Sequence, residues 1–503
     1  MKILVYSETS AKNLKSRLGT SEYSYFFVLK EFLPVLETLG DVQVIEHPES
    51  EVDKIYLECR NNGERCLFLS FSPPHRTLTS LLCPTIPVFA WEFDSIPHET
   101  WLGRAEEDWS WVIRVLGRAI THSDSTIAAA RHVVEPCYPI INAPAPVWDG
   151  MAAVRELQPN TMSTTLAGRG TLFDTAKLDL SRFLEADAEL WHAAVHGTAI
   201  PSSSEKDDES PSPALEAEGQ PAKPTAPRMF SKAWWQISKR YAGAWYIHAY
   251  QGQPTLPPEP GPDQISPWWT EHAIEPELFA PKAFNLELGG VVFTSVFNPY
   301  DGRKNWEDLL SAFCNAFADN EQASLVFKLT HKACTSAIVQ MLKYLARLPQ
   351  FRCRVVLLHG YLEDDQYRTL VHATSFVVNA SYGEGQCLPL MEYLSAGKPA
   401  IAPDHSGMSD YIDESIAFIV ESWPEATGWP HDPRFATRTC RRQISWASLR
   451  AAYLQAFSIK QNQPQIYARM ATQAIEHMRL HCSREMVRQR LEPFLQEAAA
   501  SCD

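Results

Sequence analysis

The stretch from Ser375 to Pro403 constrains this chain more than any other. An apolar run, Ser375–Asn379, enters a loop that carries Gly383 and Gly385. A helical stretch follows from about Leu388 to Ala396, closed by Gly397 and Pro399, and a second apolar run succeeds it. This order predicts strand, glycine loop, helix and strand again, the unit of a parallel α/β sheet. Glycines ahead of a helix let a ligand approach the backbone, and the free N–H groups and dipole of the helix favour an anion there. Glu384 and Glu392 bracket the segment. Eight helical residues rise about 12 Å, so the two carboxylates suit the two ends of an extended ligand rather than one atom.

The same alternation extends over most of the chain. Lys2–Tyr6, Val42–Ile45, Cys66–Leu69, Val88–Trp91 and Ala119–Thr121 read as strands, with a helix through Tyr25–Leu36 among them. Val291–Phe297, Leu325–Lys328, Val355–Leu358, Phe376–Val378 and Ala400–Ala402 repeat the pattern, and the tail from Trp446 to about Ala499 is helical by pattern. The expected fold class is therefore α/β, with two doubly wound Rossmann-like domains and a helical C-terminal tail. The expected boundaries are 1–150 for the first domain, 151–286 for an insertion or linker, 287–480 for the second domain and 481–503 for a last helix. Residues 201–227 are rich in Pro, Ser, Glu and Ala and predict disorder, because so few large apolar residues cannot offset the entropy of ordering. Residues 228–246 are basic and Trp-rich, with Trp234, Ile237, Tyr241 and Trp245 at helical spacing. That stripe either packs on the first domain or contacts a partner or an anionic membrane surface.

Composition excludes several classes. The 503 residues carry 60 acids against 45 bases, a net charge of −15, which argues against a general nucleic-acid binder. Eleven cysteines are scattered without a Cys-x-x-Cys pair, so zinc and redox motifs are not expected, and a reducing cytoplasm is. The start, Met1–Glu8, reads as a strand rather than a signal peptide, and no apolar run is long enough to span a bilayer.

The first-described segment resembles the Glu-x7-Glu signature of retaining GT-B glycosyltransferases, in particular glycosyltransferase family 4. Glu384, Gly385, Leu388, Pro389, Glu392, Ala396, Gly397, Pro399 and Ile401 match that pattern. Asn379, Ala380 and Ser381 stand where the pattern has Pro-Ser, and Gln386 and Cys387 where it has Phe-Gly. The resemblance implies a cleft between the two domains and a C-terminal helix that crosses back to the first. It implies a nucleotide-sugar donor, retention by front-face attack, no cofactor and no metal. Glu384 would bind sugar hydroxyls and Glu392 the ribose, with Gly383, Gly385, Gln386 and Leu388 at the donor.

Lys304 precedes a helix that Asn305 can cap, with Asp308 three residues on. It resembles the family lysine that neutralises the leaving diphosphate. Asn298 stands six residues earlier, where the family often has Arg, so Arg303 or Lys328 is expected to supply that charge. Gly360 and Tyr361 resemble the turn that receives the base. Glu363, Asp364 and Asp365 follow and are read as a helix start rather than a metal site. In the first domain Trp91 and Glu92 lie in an element similar to Trp-Glu-x4-Pro-x2-Trp of bacterial relatives. With His122, Ser123, Gly19 and Glu22 they form the expected acceptor side.

The reading is thus a glycosyltransferase acting on a saccharide or lipid-linked saccharide, in the cytoplasm or at the inner face of the membrane. Surface-polysaccharide assembly is the commonest setting for such proteins. An inactive nucleotide-sugar-binding or assembly subunit and a GT-B epimerase are the alternatives.

Overall fold

Parallel strands buried on both faces need near-continuous apolar sequence, and the first 150 residues supply it. A computed structural model describes residues 1–10, 23–101, 103–157, 163–181, 183–184, 279–430, 432–434 and 436–500. Gly19, Glu22, the 201–227 stretch and the basic Trp-rich stretch 228–246 lie outside the described residues. In the first lobe β1 (Lys2–Ser7), β2 (Asp41–Val44), β3 (Cys66–Phe71), β4 (Thr85–Phe89), β5 (Ala119–Thr121) and β6 (Ile140–Asn142) form one sheet in the order β2-β1-β3-β4-β5-β6. Every pairing in it is parallel. Helix α1 (Tyr23–Leu36) buries Tyr25, Val28, Leu29, Phe32, Val35 and Leu36, the spacing of one helical face. Further helices of this lobe among the described residues are α2 (Pro48–Asn61), α3 (Trp109–Leu116), α4 (Asp124–Arg131) and the single turn α5 (Ala152–Arg155). Asp108 caps the start of α3, and Gly117 ends it at a φ of +75°.

The second lobe is an eight-stranded sheet in the order β14-β13-β12-β9-β10-β11-β7-β8. Its strands are β7 (Ser163–Asp174), β8 (Lys282–Gly289), β9 (Val291–Phe297), β10 (Ala323–Leu329), β11 (Arg354–His359), β12 (Phe376–Val378), β13 (Ala400–Ala402) and β14 (Ala417–Ile419). Helices α6 (Trp306–Ala316), α7 (Thr335–Arg347), α8 (Asp364–Ala373) and α9 (Leu388–Ser395) connect them. This sheet begins earlier in the chain than the boundary at 287 that the sequence suggests. β7 lies in the stretch read as linker and pairs antiparallel with both β11 and β8. Gly168 and Gly170 broke the apolar pattern there. Both are needed, because a Cβ at Gly168 would lie 2.7 Å from the Phe284 ring and one at Gly170 would lie 2.3 Å from the His359 carbonyl oxygen.

Three helices close the chain: α10 (Trp446–Asn462), α11 (Pro464–Cys482) and α12 (Arg484–Ala500). α11 packs on α9, and α12 returns to the first lobe against α1, β3 and β6. Two parallel-sheet lobes with a returning C-terminal helix are the GT-B arrangement that the sequence implied. One continuous apolar core runs from β1 and α1 through Leu390 and Met391 of α9 to Met478, Val487 and Leu491 of the last helices. No helix among the described residues is long and apolar enough to cross a membrane.

A two-stranded hairpin that the sequence did not reveal, β15 (Ser422–Gly428) with β16 (Thr437–Ile444), reaches from the second lobe to the first. Asp94 Oδ1 accepts hydrogen bonds from the Thr439 hydroxyl at 2.9 Å and the Cys440 N–H at 2.8 Å. Trp429, on the connecting loop, donates from its indole to the Ser95 carbonyl at 3.1 Å and stacks on Trp101 at 6.2 Å between centroids. Trp429→Ala is therefore expected to destabilise the folded chain by about 3–5 kcal/mol, read as a lower urea midpoint. An unchanged midpoint would mean that this contact adds no stability.

Candidate active site

β9 and β12 are neighbours in the second sheet, with Phe293 opposite Phe376 and Thr294 opposite Val377. The loops that leave their C-terminal ends therefore meet, as ligand-binding loops of open α/β sheets do. The loop after β9 ends in a tight turn, Gly302–Lys304, and the loop after β12 carries Glu384. Glu384 is 3% exposed. Its Oε1 accepts from Lys304 Nζ at 2.6 Å, from the Ser381 hydroxyl at 2.7 Å and from Asn379 Nδ2 at 3.1 Å. Its Oε2 accepts from Arg303 Nη1 at 3.1 Å. Burial pushes the carboxyl toward neutrality, but Lys304 and Arg303 overcome it and hold the group well below the usual carboxylate range. The carboxylate is therefore ionised at every physiological pH.

Arg303 is the second hub. Its Nη2 lies 2.9 Å from Glu92 of the first lobe and 2.9 Å from Asp301, and its Nη1 donates to the Gly383 carbonyl at 2.7 Å. Burial lowers its affinity for a proton, yet Glu92, Asp301 and Glu384 together raise it above the ordinary arginine value. The structure thus brings Arg303 beside Lys304. Lys328, the other candidate for that charge, is buried and donates to the Leu329 carbonyl at 3.0 Å, and burial lowers it to about 8. It makes no ion pair with Glu384.

Backbone geometry marks the same place independently. Asn305, Cys387 and Ser406 are the three non-glycine residues among the described ones with positive φ, at 50°, 58° and 50°. Each such residue costs on the order of 1–3 kcal/mol, and such strain gathers at functional sites. Asn305 follows Lys304, Cys387 follows the Glu384 loop, and the Ser406 hydroxyl accepts the Glu384 N–H at 2.9 Å. The left-handed backbone corrects one expectation: Asn305 does not cap the next helix through its side chain, but donates to the Asp308 carboxylate at 3.0 Å. Burial and the nearby Glu384 charge push the Cys387 thiol up to about 12.

The loop glycines also let the two lobes meet closely. A Cβ on Gly383 would lie 2.6 Å from the Glu92 carbonyl oxygen, and one on Gly385 would lie 2.7 Å from Ala90 Cβ. In this conformation the loop after β4 packs directly on them, and the lobes are closed. Gln386 Oε1 accepts from the Ala145 N–H of the first lobe at 3.0 Å. The cavity beside Lys304, lined by Phe297, Asn379, Ser381, Cys387, Pro389 and others, holds about 10 Å³, room for one water.

Glu392 lies on α9, away from this network. It accepts from the Tyr367 hydroxyl at 2.6 Å, and burial pushes its carboxyl from 4.5 up to about 7 despite that bond. Leu388 opens the same helix, which Cys387 precedes in place of a capping side chain. Gly360, at a φ of +148°, lets β7 approach, since a Cβ there would lie 2.8 Å from the Arg169 carbonyl oxygen. Tyr361 follows it, half-buried. Gln366 Oε1 accepts the Glu363 N–H at 3.0 Å, which makes that acidic run a helix start.

Of the first-lobe candidates among the described residues, Glu92 joins the cation cluster. Trp91 is a core residue, 2% exposed, packed on Trp109 at 4.6 Å with its indole on the Ser95 carbonyl. Ser123 is fully buried as the cap of α4, bonded to the Thr126 N–H. Both side chains are committed to packing within the first lobe. His122 Nδ1 lies 2.8 Å from the Ala143 carbonyl, and its buried Nε2 has no hydrogen-bond partner. Burial lowers it to about 4, so the ring is neutral at pH 7. Asn379, Ser381, Asp301, Tyr367 and Ser406 were missed by the sequence reading. Polar residues at the very end of an apolar strand were the available signal for the first two.

Residues 290–427 match the family described as glycosyl transferases group 1. That segment holds Lys304, Arg303, Glu384 and Glu392. No curated protein matches the chain. Among solved structures, HepE of Anabaena in complex with UDP and glucose is 10% identical, with 99% of this chain and 100% of that one covered at a TM-score of 0.45. A glycosyltransferase from Rickettsia africae is 10% identical over 98% of each chain at 0.49. The sucrose-phosphate synthase of Thermosynechococcus elongatus is 12% identical over 100% of each at 0.47. The fold follows from the two sheets described above rather than from these likenesses.

The Glu392 shift has a pH signature. Below 4.5 the group is protonated in folded and unfolded chains alike. Between 4.5 and about 7 the folded chain binds the extra proton, so the group's contribution to stability falls as pH rises through that window, then levels. Glu392→Gln is expected to remove this decline, seen as a flatter dependence of thermal midpoint on pH from 4.5 to 8. Parallel curves for wild type and variant would contradict it.

Proposed function

We propose that the chain, which resembles the group 1 glycosyltransferases of GT-B fold, moves a sugar from a nucleotide-sugar donor to a saccharide or lipid-linked saccharide acceptor. On this reading the reaction proceeds with retention and without a metal, in bacterial surface-polysaccharide assembly. The observation that supports it is the buried, ionised Glu384 held between Lys304 and Arg303 at a strand–glycine–helix junction, inside the segment that matches the family. Lys304 and Arg303 neutralise the diphosphate as the glycosidic bond breaks, which is stabilisation of developing charge by preorganised cations. Glu384 orders those cations and meets the donor sugar. Glu392, with Tyr367, takes the ribose hydroxyls. Arg303 stands in for the arginine that Asn298 does not provide.

A second reading, a nucleotide-sugar-binding subunit without activity, is favoured by Asn298 and by the use of Gln386 as an interlobe acceptor. Nucleoside diphosphate release from a panel of nucleotide sugars separates the two. Under the enzymatic reading, Glu384→Ala and Lys304→Ala each lose roughly 10²-fold or more in rate. Full activity in either folded variant would remove the site assignment. Donor binding without turnover in the wild type would establish the second reading.

The cluster sets three carboxylates, Glu92, Asp301 and Glu384, against two cations. A diphosphate competes with those acids for Arg303. Glu92→Gln is therefore expected to tighten free nucleoside diphosphate by about tenfold, close to 1.4 kcal/mol. Calorimetry showing equal or weaker binding would exclude Glu92 as a competing anion.

A further inference from the structure

The loop after β13 has no part in the reaction scheme above. It holds Glu384 by the backbone. The Glu384 N–H donates to Ser406 Oγ at 2.9 Å, and the Glu384 carbonyl accepts the Gly407 N–H at 2.8 Å. Ser406 Oγ donates in turn to the His405 carbonyl at 2.7 Å and lies 3.1 Å from His405 Nδ1. A hydroxyl has one proton and two lone pairs. With its proton on the His405 carbonyl, Oγ takes the Glu384 N–H and the His405 Nδ1–H as its two acceptor bonds, so its capacity is filled. That tautomer leaves His405 Nε2 as a lone pair, consistent with its being buried without a donor.

The backbone argues that the hydroxyl is what this position is for. Ser406 has a φ of +50°, where glycine is the comfortable residue. Gly407, its neighbour, has no room for a side chain at all, since a Cβ would lie 2.1 Å from the Gly385 carbonyl oxygen. A glycine at 406 would relieve the strain and forfeit the oxygen. Threonine would keep the oxygen and worsen the strain through its branched Cβ.

We propose that Ser406 is a positioning residue whose hydroxyl fixes the Glu384 peptide and so aims that carboxylate at Lys304, Arg303 and the donor sugar. The proposal rests on the glycosyltransferase reading for its consequence and on the hydrogen bonds alone for its geometry, so two measurements are needed.

Ser406→Gly and Ser406→Thr are compared with wild type. Deuterium uptake in peptides covering Gly383–Gln386 reads the brace directly. It should rise in Ser406→Gly, whose thermal midpoint stays equal or increases, and stay protected in Ser406→Thr, whose midpoint falls. Turnover of the nucleotide sugar found in the panel reads the consequence. The kcat of Ser406→Gly should fall about tenfold, the scale of a misplaced catalytic group, with nucleoside diphosphate Kd within about twofold and kcat recovered in Ser406→Thr. A merely structural role would instead lower the midpoint with kcat. Unchanged uptake at Glu384 in Ser406→Gly, or unchanged kcat, overturns the proposal. If wild type turns over no nucleotide sugar, the glycosyltransferase reading fails, and the uptake arm still decides whether Ser406 braces Glu384.

Discussion

A carboxylate buried to within a few per cent of complete enclosure must be neutralised, protonated or paired, and the second lobe is arranged around the third solution for Glu384. Removing such a charge from water costs several kcal/mol even after relaxation. Two cations and two neutral donors offset it, with three of the four bonds on one oxygen. Lys304 and Glu384 are 80 residues apart in the chain. They meet because β9 and β12 are adjacent and both loops leave the same edge of the sheet. Left-handed backbone at Asn305, Cys387 and Ser406 is the conformational cost of turning the three loops back on that point.

This dependence explains what was legible in the sequence. Short apolar runs bounded by Gly and Pro are strong signals, and those at Lys2, Cys66, Val291, Leu325 and Phe376 became β1, β3, β9, β10 and β12. The glycine loop was legible as a site, because Gly383 and Gly385 precede a helix whose end is stamped by Gly397 and Pro399. β7 was not, since its glycines answer to Phe284 and His359, neighbours far along the chain. The hairpin β15–β16 was not, since its residues are mostly polar and half-exposed and it is held by hydrogen bonds to another lobe. Trp91 and Ser123 share a sequence signature with cleft residues, but their side chains were taken by Trp109 packing and by an N-cap. Local pattern gives the element; it does not say which face an aromatic or a hydroxyl will use.

The two lobes are joined by polar as well as apolar contacts, and the polar ones converge on the cleft. Asp410, in the loop after β13, accepts the Asp124 N–H at 2.9 Å and Asn142 Nδ2 at 2.8 Å, both from the first lobe. Lys30 reaches Asp364 at 3.5 Å, and Tyr23 meets Thr330 at 3.1 Å. The exposed pairs among these contribute little individually. The seam therefore combines a continuous apolar core, an aromatic contact at Trp429 and several small polar increments.

Glu92 gives that seam its chemical meaning. It is a first-lobe carboxylate on Arg303, and burial raises its carboxyl above the ordinary range even though Arg303 pulls the other way, with Asp301 and Glu384 adding to the rise. A ligand shifts a conformational equilibrium only by its difference in affinity for the two states. On the proposed reading a diphosphate has such a difference: in the closed form Arg303 is occupied by acids and the adjoining cavity has room for no more than one water, whereas in an opened form both cations would face it. Parting the lobes and exposing the cations would then be one motion, because the guanidinium that forms the interlobe contact is, on that reading, also the anion receptor.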